Sequence, residues 1–301
     1  MSLKENECLS NGTTIRENES VSYGEDPLQK FKIFYYNEEY VKDHGDTIVY
    51  LHGGAWRDPR NTFDDFDVMA KYLREQWYTN VIGINYRLSP TVKHPVHLLD
   101  VLTALVHIVK TLNHKSKPLI LVGHSVGASL ILQLLNYIQI IESEFELLNE
   151  SELPISKEAL QDLYKDVKEY VQIDRAYCLE GIYDTVQLLG QYPSYSSFVD
   201  EAFISKASYT EAFPLSSTSP KFNDPSKFEL APPFSGLSDI RIIHSTSDEL
   251  VPVSQSDAVL EYLKQRNLPV KHFYSDFGIH DDVYKSEKLA HWIYLMLKAI
   301  M

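Results

Sequence analysis

The chain has 301 residues, 44% of them hydrophobic and 23% charged, the make-up of an ordinary globular protein with a sizeable core. Its 28 basic and 42 acidic side chains leave a formal charge of −14, which speaks against a nucleic-acid partner and against docking on anionic membranes. Cys8 and Cys178, the two cysteines, supply neither a disulfide framework nor a zinc site.

Residues 1–27 are polar, rich in Glu, Asn and Ser, and read as a flexible leader without the apolar core of a signal peptide. No run approaches the roughly 18 apolar residues of a membrane span. A reducing, cytoplasmic setting is therefore expected. Residues 28–301 read as a single domain. Phe31 to Tyr36 alternates aromatic with other side chains and predicts an edge strand. Thr47 to Leu51 is a buried strand that runs into His52-Gly53-Gly54-Ala55-Trp56. A helix is expected over 66–77, a strand over 81–86, and an amphipathic helix over 96–112. Leu119 to Val122 is a short apolar run followed at once by Gly123-His124-Ser125-Val126-Gly127. Ala128, Leu130, Ile131, Leu134, Leu135 and Ile138 then repeat at helical spacing.

Residues 137–170 are acidic and helix-prone, with Pro154 as a break, and read as an inserted helical segment. Ile173 to Leu179 resumes as a strand that ends in Glu180-Gly181-Ile182-Tyr183-Asp184. Residues 185–236 are rich in Tyr, Phe, Ser and Pro without a long period, the composition of a lid or substrate-pocket insertion. Strands over 240–244 and 270–274 enclose a helix over 256–265, and a closing helix spans 289–300. Alternating strands and helices predict a mostly parallel central sheet with helices on both faces.

Strand, G-x-S-x-G, helix is the context of a nucleophile elbow, in which a sharp turn presents a serine hydroxyl beside helix N–H groups. Ser125 is the candidate nucleophile. A serine needs a base, and the base needs an acid to orient it. His280 lies in a loop after the last strand, whereas His272 and His291 lie within elements, and His124 is expected to point away from Ser125. Asp248, after the strand over 240–244, is the candidate acid. Asp184 is its rival, and Asp281 and Asp282 read as solvated. The order Ser125, Asp248, His280 is that of an α/β-hydrolase fold. Oxyanion donors are expected from Val126 and from the loop of Gly53, Gly54 and Ala55. Trp56, Tyr183 and the aromatics of 192–213 are candidates for aromatic walls of a substrate pocket, Arg57 for a carboxylate partner, and Arg87 for a structural role. No metal or nucleotide motif is evident and no cofactor is expected.

The pair HGGAW and GHSVG, with LEGIYD, HSTSDEL and GIHDDVYK further on, resembles the fungal branch of the kynurenine formamidases, or arylformamidases. The resemblance runs from about Asp46 to Tyr284. It implies a serine hydrolase with Ser125, Asp248 and His280 as its triad, acting on the small molecule N-formyl-L-kynurenine to release L-kynurenine and formate in tryptophan degradation. It allows a homodimer. A carboxylesterase or lipase with the same triad is the alternative enzyme, and a hydrolase-fold binding protein the alternative outside enzymes.

Overall fold

The computed structural model describes residues 8–10, 13–15, 18–37, 47–77, 79–112 and 117–298. Eight strands build the main sheet: β1 (Glu19–Ser22), β2 (Lys30–Tyr35), β3 (Thr47–Leu51), β4 (Asn80–Ile84), β5 (Leu119–His124), β6 (Ile173–Leu179), β7 (Asp239–Ser245) and β8 (Val270–Ser275). They form one sheet in the order β1-β2-β4-β3-β5-β6-β7-β8. The pairs β1–β2 and β2–β4 are antiparallel; every other pair is parallel. This is the mostly parallel sheet expected of an α/β-hydrolase fold.

Side chains alternate across the sheet and so build two cores. Val49, Leu51, Leu119 and Leu121 face the larger one. That side is covered by α2 (Val96–Thr111), α3 (Val126–Leu134), α4 (Tyr137–Leu147), α5 (Lys157–Tyr170) and, further along the sheet, α10 (Val253–Gln265). Ile48, Tyr50, Ile120 and Val122 face the other, under α1 (Asp67–Trp77) and α11 (Glu287–Lys298). The acidic 137–170 segment thus supplies two of the covering helices. Leu160, Tyr164 and Val167 bury the inner face of α5, and Lys110 reaches Asp166 at 2.7 Å. No single helix among the described residues is long and apolar enough to cross a membrane.

Two expectations need correction at the N-terminal side. Part of the leader expected over 1–27 lies outside the described residues; where it is described, Cys8–Ser10 pairs antiparallel with Thr13–Ile15, Glu19–Ser22 is the edge strand of the main sheet, and Tyr23 is buried, its hydroxyl donating to the Asn85 carbonyl at 2.7 Å. An edge strand has one neighbour, so its solvent side stays polar and hides the strand pattern. Consequently β2 is not an edge: it is flanked by β1 and β4.

Parallel register brings the strand ends level. Leu51 pairs with Gly123, His124 with Leu179, Leu179 with Ile243, and Ser275 with Ser245. The loops that follow β3, β5, β6, β7 and β8 therefore emerge along one edge of the sheet, where ligands bind in such folds. The 185–236 segment caps that edge with α6 (Thr185–Gln191), α7 (Ser196–Ala202), α8 (Lys206–Ala212) and the short α9 (Pro220–Asn223).

Candidate active site

Ser125 sits between β5 and α3 with φ 51° and ψ −120°, a conformation costly for a residue with a side chain. Tight packing holds it there. A Cβ on Gly123 would lie 2.5 Å from the Gly127 carbonyl oxygen, and one on Gly127 would lie 2.2 Å from the Leu51 carbonyl oxygen. Both glycines of the motif are therefore required by close backbone approach. The Ser125 N–H donates to the Leu179 carbonyl at 2.8 Å, which ties the turn to the end of β6. The side chain opens into a cavity of about 330 Å³ shared with His280, Gly54, Ala55 and Ile182.

His280 donates its Nδ1–H to Asp248 Oδ2 at 2.9 Å. Asp248 Oδ1 accepts the N–H groups of Leu250 and Val251 at 2.8 and 2.9 Å, which aims the other oxygen at the ring. Burial works against that carboxylate, but the His280 hydrogen bond and charge and the two N–H donors outweigh it and hold its pKa below the ordinary value. The histidine loop is pinned too. Ser245 Oγ donates to the Gly278 carbonyl at 2.6 Å and accepts the Phe277 N–H, while the His280 N–H donates to Glu249 at 3.0 Å. The Ser125 hydroxyl and the His280 ring face the same cavity without a hydrogen bond between them, as catalytic pairs in unliganded enzymes often do.

The loop after β3 approaches the serine closely: a Cβ on Gly53 would lie 3.1 Å from Ser125 Cβ and 2.8 Å from His124 Nδ1. Gly54, Ala55 and Trp56 all have positive φ, 93°, 49° and 59°. That unusual run is fastened from below. Tyr86 Oη donates to the His52 carbonyl at 2.9 Å and stacks on the His52 ring. The Gly54 carbonyl turns away to accept the N–H groups of Arg57 and Asp58. Gly53, Gly54, Ala55 and the start of α3 at Val126 thus border the serine, where oxyanion donors are required.

A profile for the alpha/beta hydrolase fold matches residues 48–149. A kynurenine formamidase of Scheffersomyces stipitis is 41% identical, the match covering 90% of this chain and 96% of the relative. One of Debaryomyces hansenii is 38% identical over 90% of the chain and 96% of the relative, and one of Saccharomyces cerevisiae 31% over 85% and 90%. The chain belongs to the kynurenine formamidase family. Among solved structures, esterase B from Lactobacillus rhamnosis superposes with a TM-score of 0.63 at 16% identity, covering 94% of this chain and 85% of that one. A Rhizomucor miehei esterase does so with 0.61 at 18%, covering 94% and 81%. These two share the fold.

Two features of the chain depart from the sequence expectations. Trp56 does not line the cavity. Its indole is buried against Phe203, Phe198 and Phe213, with ring centres 5.3, 6.1 and 6.1 Å away, and it anchors the 185–236 segment. Tyr183 does not line it either; it lies fully buried in the larger core, with its N–H held by Gln255. Of the candidate aromatics of 192–213, Tyr195 and Phe198 line the cavity. Asp184 caps α6 through the Gln187 N–H and is no rival acid. His124 packs on the His280 ring at 4.5 Å and donates Nε2–H to the His280 carbonyl at 3.1 Å.

Arg57 reaches Glu201 at 3.1 Å, at the cavity mouth, and Arg87 grips Asp100 at 2.6 Å in a structural pair. The residue that sequence reasoning missed is Glu180. Its Oε2 lies 3.3 Å from His280 Nδ1 and 3.6 Å from His124 Nε2. The signal was a carboxylate directly after β6, beside the strand that carries Asp248. Ligand atoms of His124, Glu180 and His280 fall within 4.8 Å of one another, close enough to hold a metal ion. Both imidazole N–H groups in that trio already have acceptors, so hydrogen bonding accounts for the cluster.

Proposed function

We propose that this chain hydrolyses the formamide of N-formyl-L-kynurenine to L-kynurenine and formate through an acyl-enzyme. The observation that carries the reaction is the strained Ser125 facing one cavity with an Asp248-bound His280. The names of the fungal relatives, at up to 41% identity over most of both chains, support the substrate.

The steps follow from the geometry. His280 Nδ1–H is committed to Asp248, so Nε2 is the free base that takes the Ser125 proton. Ser125 Oγ then bonds to the formyl carbon. The oxyanion forms beside Val126 and the Gly53–Ala55 loop. When the intermediate collapses, the carbon–nitrogen bond breaks and Nε2–H protonates the leaving arylamine. Water, deprotonated by the same nitrogen, attacks the formyl-serine, and formate leaves as Oγ regains its proton.

Formyl is the smallest acyl group, so most of the cavity is left for the leaving group, and Tyr195, Phe198, Ile182 and Leu250 offer an apolar wall for its aryl ring. The mouth carries Arg57 and Arg60 beside Asp58 and Asp281, both signs that a zwitterionic amino-acid head requires. A cytoplasmic setting is part of the proposal, in keeping with an acidic chain whose Cys178 is a free, buried thiol. The alternative, a carboxylesterase or lipase, uses the same machinery, so substrate preference separates the two. Purified protein is expected to release kynurenine from N-formyl-L-kynurenine with a kcat/KM well above that for p-nitrophenyl acetate. The reverse preference would overturn the formamidase reading and leave a serine esterase.

A further inference from the structure

We infer that Glu180 is a second, buried carboxylate on His280, a positioning residue that holds the imidazolium together with Asp248. The inference rests on the Ser125–His280 reading above. A single buried acid is enough to fix the tautomer and orientation of a catalytic histidine. Here two carboxylates converge on one nitrogen. Asp248 Oδ2 receives the Nδ1–H at 2.9 Å, and Glu180 Oε2 stands beside the same nitrogen at 3.3 Å.

The way Glu180 is built argues for function over packing. It is fully buried, and its backbone has φ 51°, which a residue with a long side chain rarely adopts. That left-handed turn comes one residue after β6. The Glu180 N–H donates to the Ile243 carbonyl at 2.9 Å. One carboxylate oxygen, Oε1, accepts the Ser245 N–H at 2.9 Å, which locks the side chain. The other, Oε2, is buried without any hydrogen-bond donor directed at it. A buried carboxylate oxygen without a partner is costly unless a positive charge answers it. The charge available is the imidazolium that forms whenever His280 takes a proton.

The other groups facing His280 do not provide that answer. His124 packs on the ring, with burial first and the His280 charge second keeping its pKa low, so it stays neutral. Glu249, which accepts the His280 N–H, and the adjacent Asp281 are acidic. His244 gives its Nε2–H to the Val251 carbonyl and lies 3.4 Å from Asp248. Arg57 and Arg60 stand at the cavity mouth, engaged with Glu201 and Asp58. Burial alone would depress His280, but Asp248 and Glu180 outweigh it and raise the ring to about 10. Glu180 therefore acts on the proton that moves: it favours the imidazolium of the transition state and, in the resting enzyme, competes with the neutral form that must act as base.

The test is the rate at which a fluorophosphonate probe labels Ser125, followed against pH in Glu180→Gln, Glu180→Asp and the parent protein. This readout needs the serine and its base but no particular substrate. Gln keeps the acceptor for the Ser245 N–H and removes only the charge. Loss of an opposite charge this close is expected to move the ascending limb down by about one pH unit or more. It should also lower the plateau rate by about 10- to 100-fold. Glu180→Asp is expected to keep the limb nearer its parent position. A Gln variant with a lowered melting temperature but an unmoved limb would make Glu180 structural and overturn the inference. Should the Gln variant not fold, Asp248→Asn reads the same point: its residual labelling should still rise with pH, and a pH-independent residual overturns the inference. If the parent protein is not labelled at Ser125 at all, the serine-hydrolase reading itself fails.

Discussion

Ser125 contributes one oxygen to a turn that the surrounding backbone already dictates. Its strain is held by Gly123, Gly127 and the Leu179 hydrogen bond, none of which uses the hydroxyl. Ser125→Ala should therefore fold like the parent and lose kynurenine release by at least about a thousandfold, with only the background that oxyanion donors alone supply. Unchanged melting with residual turnover above that level would argue against a covalent intermediate. His280 sets a second expectation. Asp248 and Glu180 raise its pKa above the ordinary histidine value near 6.5, and only the neutral ring can take the Ser125 proton. The ascending limb of kcat/KM should accordingly have its midpoint above pH 6.5. A plateau already reached by pH 6 would remove the two-carboxylate environment from the mechanism. At this scale the serine, histidine and aspartate were legible, because each follows a strand and the chain order is diagnostic. Glu180 was not, because the φ of 51° that swings its carboxylate inward leaves no periodic trace.

At the scale of elements, Trp56 joins two parts of the fold. Its distance in sequence from Gly54 suggested a pocket wall, but a left-handed φ of 59° turns the indole outward from the cavity and under the insertion. There it meets Phe198 and Val199 of α7, Ala212 of α8, and Phe203 and Phe213 beyond them. Elsewhere the insertion is held by Phe222, Ala231 and Phe234, which are buried in the larger core, and by polar ties: Lys93 Nζ to the Asp200 and Phe203 carbonyls, Gln133 to the Ala212 carbonyl, and Tyr195 Oη to the Leu250 carbonyl. Trp56 is thus the apolar rivet between the oxyanion loop and the cap. Trp56→Ala should cost about 3–5 kcal/mol of stability. It should also lower kcat alike for N-formyl-L-kynurenine and a small acetate ester, since both need the same loop. A selective rise in KM for the formamide with unchanged melting would restore the pocket-wall role. The strands with continuous apolar runs, β3 to β7, were readable because both their faces are covered. The edge strand β1 and the interior of the 185–236 segment were not, since short helices of seven residues or fewer show too little periodicity to reveal an inner face.

For the molecule as a whole, the buried titrating groups fix how stability depends on pH. His52, His94 and His97 are buried, and burial lowers their pKa to about 4, 3 and 3. Each is neutral in the folded chain and gains a proton readily when unfolded. Their contribution is therefore present above about pH 6.5 and is lost as pH falls toward 4. Asp248, with its pKa lowered, adds a further loss below the ordinary carboxylate range. His280 has the opposite sign: raised to about 10, it contributes fully below pH 6.5 and loses that contribution as pH rises through 10. Glu144 also loses stability as pH rises. Burial outweighs its hydrogen bond from Ser208 and raises its pKa to about 7, so the protonated form it favours disappears between 4.5 and 7. Those three histidines and His124, whose pKa burial also lowers, outnumber Glu144 and leave a net rise on the acid side, and His280 supplies the fall on the alkaline side. The melting temperature should hence peak near neutrality, between about pH 6 and 7, and decline in both directions. His280→Gln should flatten the alkaline decline while keeping the part of the acid limb that the buried histidines at 52, 94 and 97 supply, since these are untouched. Melting curves of the two proteins from pH 4 to 10 check this directly. A melting temperature that still climbs from pH 7 to 9 in the parent protein would show that His280 is not held as an imidazolium in the folded state.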